Sequence, residues 1–380
     1  MTYPTRALLG ALLFAFVVVA QANPLPIPSA PSLSAKTDTL IDAQSGQVLA
    51  AKKPDKHVKP ASVTKLMVAY ITFDEIKKGN LSPKETMKVT NKAWQMHGSQ
   101  MFLRVGNKVS VDQLLDGLIT DSGNDAAVQL AQYIGGSTST FVGYMNHYLK
   151  QLGLKNSHFS DVEGLPIKDH YMSAKDMAQL LADITQKFPK LYKRYFSIKH
   201  FTWNGIKQYN RCKLLWSDPR VDGGKTGHTK AAGYNLVASG HSHGMRLVAA
   251  VTGTGSDSAR NREADALLNY GFRYFRNGTF VKAGQPVTHV QVWKGDADNV
   301  PVVTHTNVVA AYPRGKRKQV QVSAQLPNSL VAPIAKGKKM GTLTVKYGNH
   351  VLKRAPLYAG KKIGQGSLFS RLVDDVWMMF

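Results

Sequence analysis

Apolar positions recur along this chain with two different periods, and the changes of period mark out its elements. After Pro60, residues Leu66, Met67, Tyr70, Phe73 and Ile76 fall three or four apart, which predicts a long helix stopped by Gly79-Asn80. Ser110 and Gln113 have the spacing of a capping box and open a helix running through Ile119. Further helices are predicted over 125–134, over 139–152 with Gly153 ending it, and over 173–186. Strands are predicted at 39–42 and 48–51, a hairpin turning at Gln44-Ser45-Gly46, and again at 233–239 and 245–253 around His241-Ser242-His243-Gly244. A closing helix is predicted over 257–275. Strands at both ends with helices between them predict an α/β unit whose sheet is assembled from distant segments.

Past Gly278 the texture changes to short alternating stretches, among them 287–293, 319–326 and 341–347, broken by Gly, Pro and Asn. These predict a small all-β domain over 279–362. In the last segment, 363–380, Leu368, Phe369, Leu372, Val373, Val376, Trp377 and Phe380 share one helical face, with Ser370, Arg371, Asp374 and Asp375 opposite. Such a face either docks on the β domain or lies in a membrane interface, and its Phe/Trp content points to the membrane surface.

The N-terminal pattern sets the compartment. Arg6 precedes an apolar run from Ala7 to Ala20, and Ala20-Gln21-Ala22 is a small-x-small cleavage site. Residues 1–22 therefore predict a secretory signal peptide, leaving 23–278 for the larger domain. Cys212 is the one cysteine, so no intramolecular disulfide is available in an oxidising compartment. With 49 Lys and Arg against 24 Asp and Glu, the formal net charge is +25, which favours anionic partners. The basic residues are spread, without a recognisable nucleic-acid-binding motif, so no nucleic-acid partner is expected. His241 and His243 lack neighbouring ligand-type residues and predict a solvated turn rather than a metal site.

Three short strings carry the chemistry: Ser62-Val63-Thr64-Lys65, Ser122-Gly123-Asn124 and Lys225-Thr226-Gly227. Pro60 places Ser62 at a helix N-terminus, and Lys65, one turn on, can reach its hydroxyl. A neutral amine can take the serine proton as the oxygen attacks, provided burial or a second cation depresses its pKa; Lys225 is a candidate for that cation. Ser122 can relay a proton to a leaving amine, and the Asn124 amide can hold the lysine or a substrate carbonyl. Lys225 and Thr226 can bind a carboxylate, and Gly227 lets a substrate backbone lie along a strand edge. The backbone N–H groups of Ser62 and His228 are the expected oxyanion hole.

With these motifs, Met101-Phe102-Leu103, Ser122 to Ala126, Leu214-Leu215-Trp216, Gly233-Tyr234-Asn235 and 267–272, the chain resembles the penicillin-binding serine transferase superfamily. Within it, the chain is similar to the D-alanyl-D-alanine carboxypeptidases of the penicillin-binding protein five and six type. The resemblance covers nearly the whole length. It implies a β-lactamase/transpeptidase-like catalytic domain, an antiparallel sheet flanked by helices, followed by a small all-β domain and a membrane-anchoring amphipathic helix. It also implies that Ser62 is acylated with Lys65 as general base, that Ser122 and Asn124 assist, and that Lys225 and Thr226 hold the substrate. Arg211 matches the arginine that receives the terminal carboxylate.

The implied substrates are peptidoglycan pentapeptide stems, with β-lactams as acylating inhibitors and no metal or cofactor. The implied place is the periplasmic face of the inner membrane, held peripherally. Two departures are visible. Gly98-Ser99-Gln100 replaces the more usual Gly-Ser-Ser, and Glu163 lacks the Glu-x-x-Leu-Asn context of a β-lactamase, which argues against efficient β-lactam hydrolysis. D,D-endopeptidase action on cross-bridges and a non-catalytic role binding anionic envelope polymer are the alternatives.

Overall fold

Segments 37–42 and 48–52 from near the start of the chain, and three strands from beyond residue 220, build one sheet. The computed structural model describes residues 27–377, so the predicted signal peptide lies outside the described residues. The strand order is Val48–Lys52, Thr37–Asp42, Met245–Thr254, Gly233–Ser242, Val221–Thr229, with every neighbouring pair antiparallel. The helix Asp257–Tyr274 covers one face through Ala264, Leu267 and Leu268. The other face packs on Ala174–Lys187, behind which the helical body of the domain is gathered.

At the centre of that body lies Lys65–Lys78, buried continuously from Lys65 to Asp74. A helix apolar on all sides is one enclosed by its neighbours. Phe73 meets Phe188, Tyr195 and Phe196, which fixes its lower end. Gly79, at φ +80°, caps it in the left-handed conformation the Gly-Asn stop predicted.

The predicted capping box is present, with Ser110 and Gln113 reciprocally bonded. The helix it opens departs from expectation, however. It remains α-helical only over Val111–Asp116, then widens to a π turn at Gly117–Asp121 and ends on Ser122 at φ +71°. A Cβ on Gly117 would lie 2.6 Å from Met101 Sδ, so the glycine makes room for Met101. Irregular helix turns of this kind collect at functional sites.

Lys225-Thr226-Gly227 precedes the strand predicted at 233–239, found at Gly233–Ser242, and itself lies within a further strand that the sequence pattern did not predict. Val221–Thr229 is an edge strand of the main sheet, paired Lys225↔Val237, Thr226↔Leu236 and Gly227↔Asn235. Three glycines in nine residues dilute the strand signal.

Beyond the closing helix, Phe275–Val281 pairs with Val308–Pro313, and six further strands form a second sheet around Val300, Leu343, Val345 and Leu357. The last helix, Leu368–Trp377, meets this domain through its acidic face: Asp374 accepts from the Lys294 N–H and Asp375 pairs with Lys294 Nζ. Its apolar face stays open, with Leu368 at 77% and Phe369 at 78% exposure.

Candidate active site

Ser62 sits in a short 3-10 turn, Ala61–Thr64, that leads directly into the buried helix. The turn starts from a strained residue, Ala61 at φ +50°. Two neighbours hold it there. Asn235, wholly buried, donates through Nδ2 to Lys59 O at 3.0 Å and Pro60 O at 3.1 Å, while its Oδ1 accepts from Gly253 N at 2.8 Å. From the other side, Gly164 comes so close that a Cβ would lie 1.9 Å from Ala61 O. Strain that surrounding structure over-determines is a mark of functional sites.

Lys65 is fully buried and its Nζ lies 3.1 Å from Ser62 Oγ. The same amine donates to Asn124 Oδ1 at 2.7 Å and to the Glu163 carbonyl at 2.9 Å. Asn124 is itself anchored through Nδ2 to His97 O at 2.6 Å. Lys225, also buried, donates to Ser122 Oγ at 2.8 Å and to Thr226 O at 3.0 Å. Each serine hydroxyl is thus paired with its own amine.

Burial lowers the Lys65 amine to about 8, with Arg211 pressing it further down and the carboxylates of Glu163 and Asp161 pulling it up. Lys225 is held well below the usual ammonium range, chiefly by burial and then by Lys65, Arg211 and Arg260. Of the two causes expected for Lys65, burial does the most, and the cation that adds to it is Arg211.

The loop carrying Glu163 is pinned from within. Asp161 accepts from the backbone N–H of Glu163 at 3.1 Å, Gly164 at 2.7 Å and Leu165 at 2.9 Å. Buried His170 accepts the Ser160 N–H at Nδ1, 3.0 Å, which places its proton on Nε2 toward Thr64 Oγ1 at 2.8 Å. Glu163 also lines a separate cavity with Lys92 and Ser160, and burial raises the pKa of its carboxyl. Its hydrogen bond to the lysine comes from the main-chain carbonyl, something no side-chain motif could reveal.

These groups border a cleft of about 500 Å³ lined by Ser62, Ser122, Arg211, Thr226, Gly227 and His228, with Ser99 opposite. A Cβ on Gly227 would lie 2.6 Å from Pro60 O and 3.1 Å from Ser62 N, so the glycine lets the edge strand close against the nucleophile turn. His228 stacks on Tyr234, ring centroids 4.0 Å apart. Arg211 lies at the rim, paired with Asp121 at 2.9 Å. Among the predicted residues, all nine therefore gather at one place.

Arg260 was not singled out from the sequence, because apart from Asp257 its partners come from distant segments, Gly227 and Tyr234-Asn235. Only 6% exposed, it borders the cleft beside Thr226–His228, pairs with Asp257 and lies 5.5 Å from the Tyr234 ring centroid. Its Nε is buried without a partner. A cation in that position can take a carboxylate arriving along the strand.

A serine paired with a buried lysine, beside a lysine-bearing edge strand, defines a serine enzyme of the penicillin-binding class. The chain belongs to the D-alanyl-D-alanine carboxypeptidase family: residues 26–256 match that family, and 275–365 match the C-terminal domain of penicillin-binding protein 5. It is 39% identical to D-alanyl-D-alanine carboxypeptidase DacA of Escherichia coli K12, over 98% of this chain and 96% of the relative. DacC of the same organism is 38% identical over 98% and 94%. Among solved structures, penicillin-binding protein 5 from Haemophilus influenzae superposes with a TM-score of 0.86 at 37% identity, covering 89% of this chain and 100% of that one.

Proposed function

We propose that this protein removes the terminal D-alanine from peptidoglycan pentapeptide stems through an acyl-serine intermediate. Ser62 Oγ attacks the penultimate carbonyl as its proton passes to the neutral Lys65 amine. The backbone N–H groups of Ser62 and His228 receive the oxyanion, each such donor contributing roughly 3–4 kcal/mol to the transition state. As the C–N bond breaks, Ser122, held by Lys225, relays the proton taken up by Lys65 to the departing D-alanine amine, so that both the lysine and Ser122 return to their starting protonation. Asn124 keeps Lys65 aimed at the serine, and water completes the cycle by hydrolysing the ester. Thr226 and Gly227 align the stem peptide along the edge strand, while Arg211 and Arg260 face its terminal carboxylate.

The observation that carries this reading is the pairing of each hydroxyl with its own buried amine, Ser62 with Lys65 and Ser122 with Lys225, at one cleft. A β-lactam presents a strained amide to the same serine and is expected to remain attached. The test is release of free D-alanine from a synthetic pentapeptide ending in D-Ala-D-Ala. Shortening of cross-linked dimers without release from pentapeptide would replace this reading by the endopeptidase one.

The protein is proposed to be exported and to rest on the periplasmic face of the inner membrane, bound peripherally through its terminal helix. Support comes from the open apolar face of Leu368, Phe369, Leu372 and Trp377, whose acidic side is already engaged by Lys294. Among the described residues no helix is long and apolar enough to cross a membrane. Truncation after Gly364 is expected to release the protein from membranes; continued sedimentation of the truncated form with them would contradict this.

A further inference from the structure

The charge is unevenly shared. Residues 275–365 carry fifteen Lys and Arg against two acids, Asp296 and Asp298. Strand register shows where part of this charge lies. Near one end of the hairpin Lys339–Tyr347 and His350–Ala359, Lys353 Nζ donates to Ser45 O of the catalytic domain at 2.6 Å. At the opposite end, about 17–20 Å away by strand rise, Lys339 pairs with Tyr358. There Gly337 N donates to Ala359 O, Ala359 N donates to Lys338 O, and Ile334 bridges Ile363. Lys336, Lys338, Lys339, Lys361 and Lys362 are thereby gathered at the pole far from the catalytic domain. All five are exposed, and none has an ion-pair partner among the described residues.

The terminal helix leaves from the same pole. Asn299–Val303 pairs with His350–Ala359 through Val302↔Ala359, and with Thr288–Trp293 through Gln291↔Asn299, so Trp293 and Lys294 extend beyond the lysine cluster. Lys294 O accepts from Gly366 N, and the helix begins two residues later. Beside Lys336 lies a cavity of about 480 Å³ lined by Thr304, His305, Lys336, Gly337 and Gly360. Thr304 is 2% exposed and its hydroxyl has no hydrogen-bond partner. His305 is held flat on Tyr358, ring centroids 3.8 Å apart.

We propose that this pole is a headgroup-binding surface for anionic phospholipid: the five lysines take lipid phosphates, and the Thr304–Lys336 cavity seats one of them. The inference rests on the proposed membrane-facing role of the terminal helix and adds a lipid preference that the helix, with Asp374 and Asp375 on its polar side, does not supply. Clustered lysines beside an interfacial helix bind acidic bilayers through the surface potential and lose that binding with salt.

The test is co-sedimentation of the full chain with vesicles of phosphatidylcholine alone and of phosphatidylcholine mixed with phosphatidylglycerol. The wild type is expected to prefer the acidic vesicles. A variant combining K336Q, K338Q, K339Q, K361Q and K362Q should bind them about tenfold or more weakly. A control with R314Q, K316Q and K318Q should bind nearly as the wild type does, and D-alanine release should be unchanged in both. Equal binding to both vesicle types would overturn the headgroup proposal and leave the helix reading in place. Binding to neither would overturn both. An equal loss in the control would show a diffuse charge effect and overturn the assigned site, as would retention by an anionic polysaccharide without any preference among vesicles.

Discussion

Lys65 Nζ lies 3.1 Å from Ser62 Oγ and makes its two other hydrogen bonds to neutral oxygens, Asn124 Oδ1 and the Glu163 carbonyl. Among the described residues no carboxylate hydrogen-bonds to the amine, so its removal from water is not offset by direct pairing. That arrangement favours loss of a proton and prepares the lysine to act as a base.

The pH dependence follows. With Lys65 lowered to about 8 mainly by burial, acylation should accelerate as pH rises toward that value and level off above it. The Glu163 charge raises the Lys65 pKa, so E163Q should move the acidic limb of the profile to lower pH. Stability has the same origin: because the folded value lies below the unfolded one, the unfolded chain binds more protons between them. Stability should therefore rise with pH across that window. Stopped-flow acylation and denaturant titrations over the same pH range check both.

Lys65→Ala should reduce acylation by at least about a thousandfold, since the serine loses its base while Asn124 and Glu163 keep their places. Rapid labelling by a penicillin in a folded K65A protein would remove the lysine from that role.

Asn235 is expected to act on the nucleophile from a distance. N235A leaves Lys59 O, Pro60 O and Gly253 N without their present partner, which should cost about 2–3 kcal/mol in denaturant unfolding. Acylation should slow as well, because the turn bearing Ser62 loses its tie to the sheet. Unchanged acylation in a destabilised variant would make Asn235 purely structural.

Much of the architecture was legible in advance, for reasons that can be named. Helix ends were readable where local chemistry decides them, as at Ser110–Gln113 and Gly79. The edge strand Val221–Thr229 was not, since Gly223, Gly224 and Gly227 are selected by contacts with distant groups: Tyr192 for the first, Cys212 for the second and Pro60 for the third. The short helix Pro189–Phe196 also went unread, although Pro189 at its start is a helix-opening residue. At the site, the residues bearing reactive groups could be found from motif spacing. Asn235 stood within the Gly233-Tyr234-Asn235 motif, but its role did not, and Asp161, His170 and the Glu163 carbonyl likewise act through backbone contacts, which leave no local pattern of their function.

Cys212 gives a separate check on packing. It is 1% exposed, and burial raises its thiol to about 11, so an alkylating reagent should leave it untouched in the native protein and modify it fully in denaturant. Fast native-state labelling would mean that the sheet edge beside Gly224 opens readily.

The most direct measurement is labelling of the purified protein with a fluorescent penicillin, beside Ser62→Ala. The account predicts a covalent adduct on the wild type, located at Ser62 by mass spectrometry, and none on the variant. Labelling of both proteins, or of neither, would contradict it.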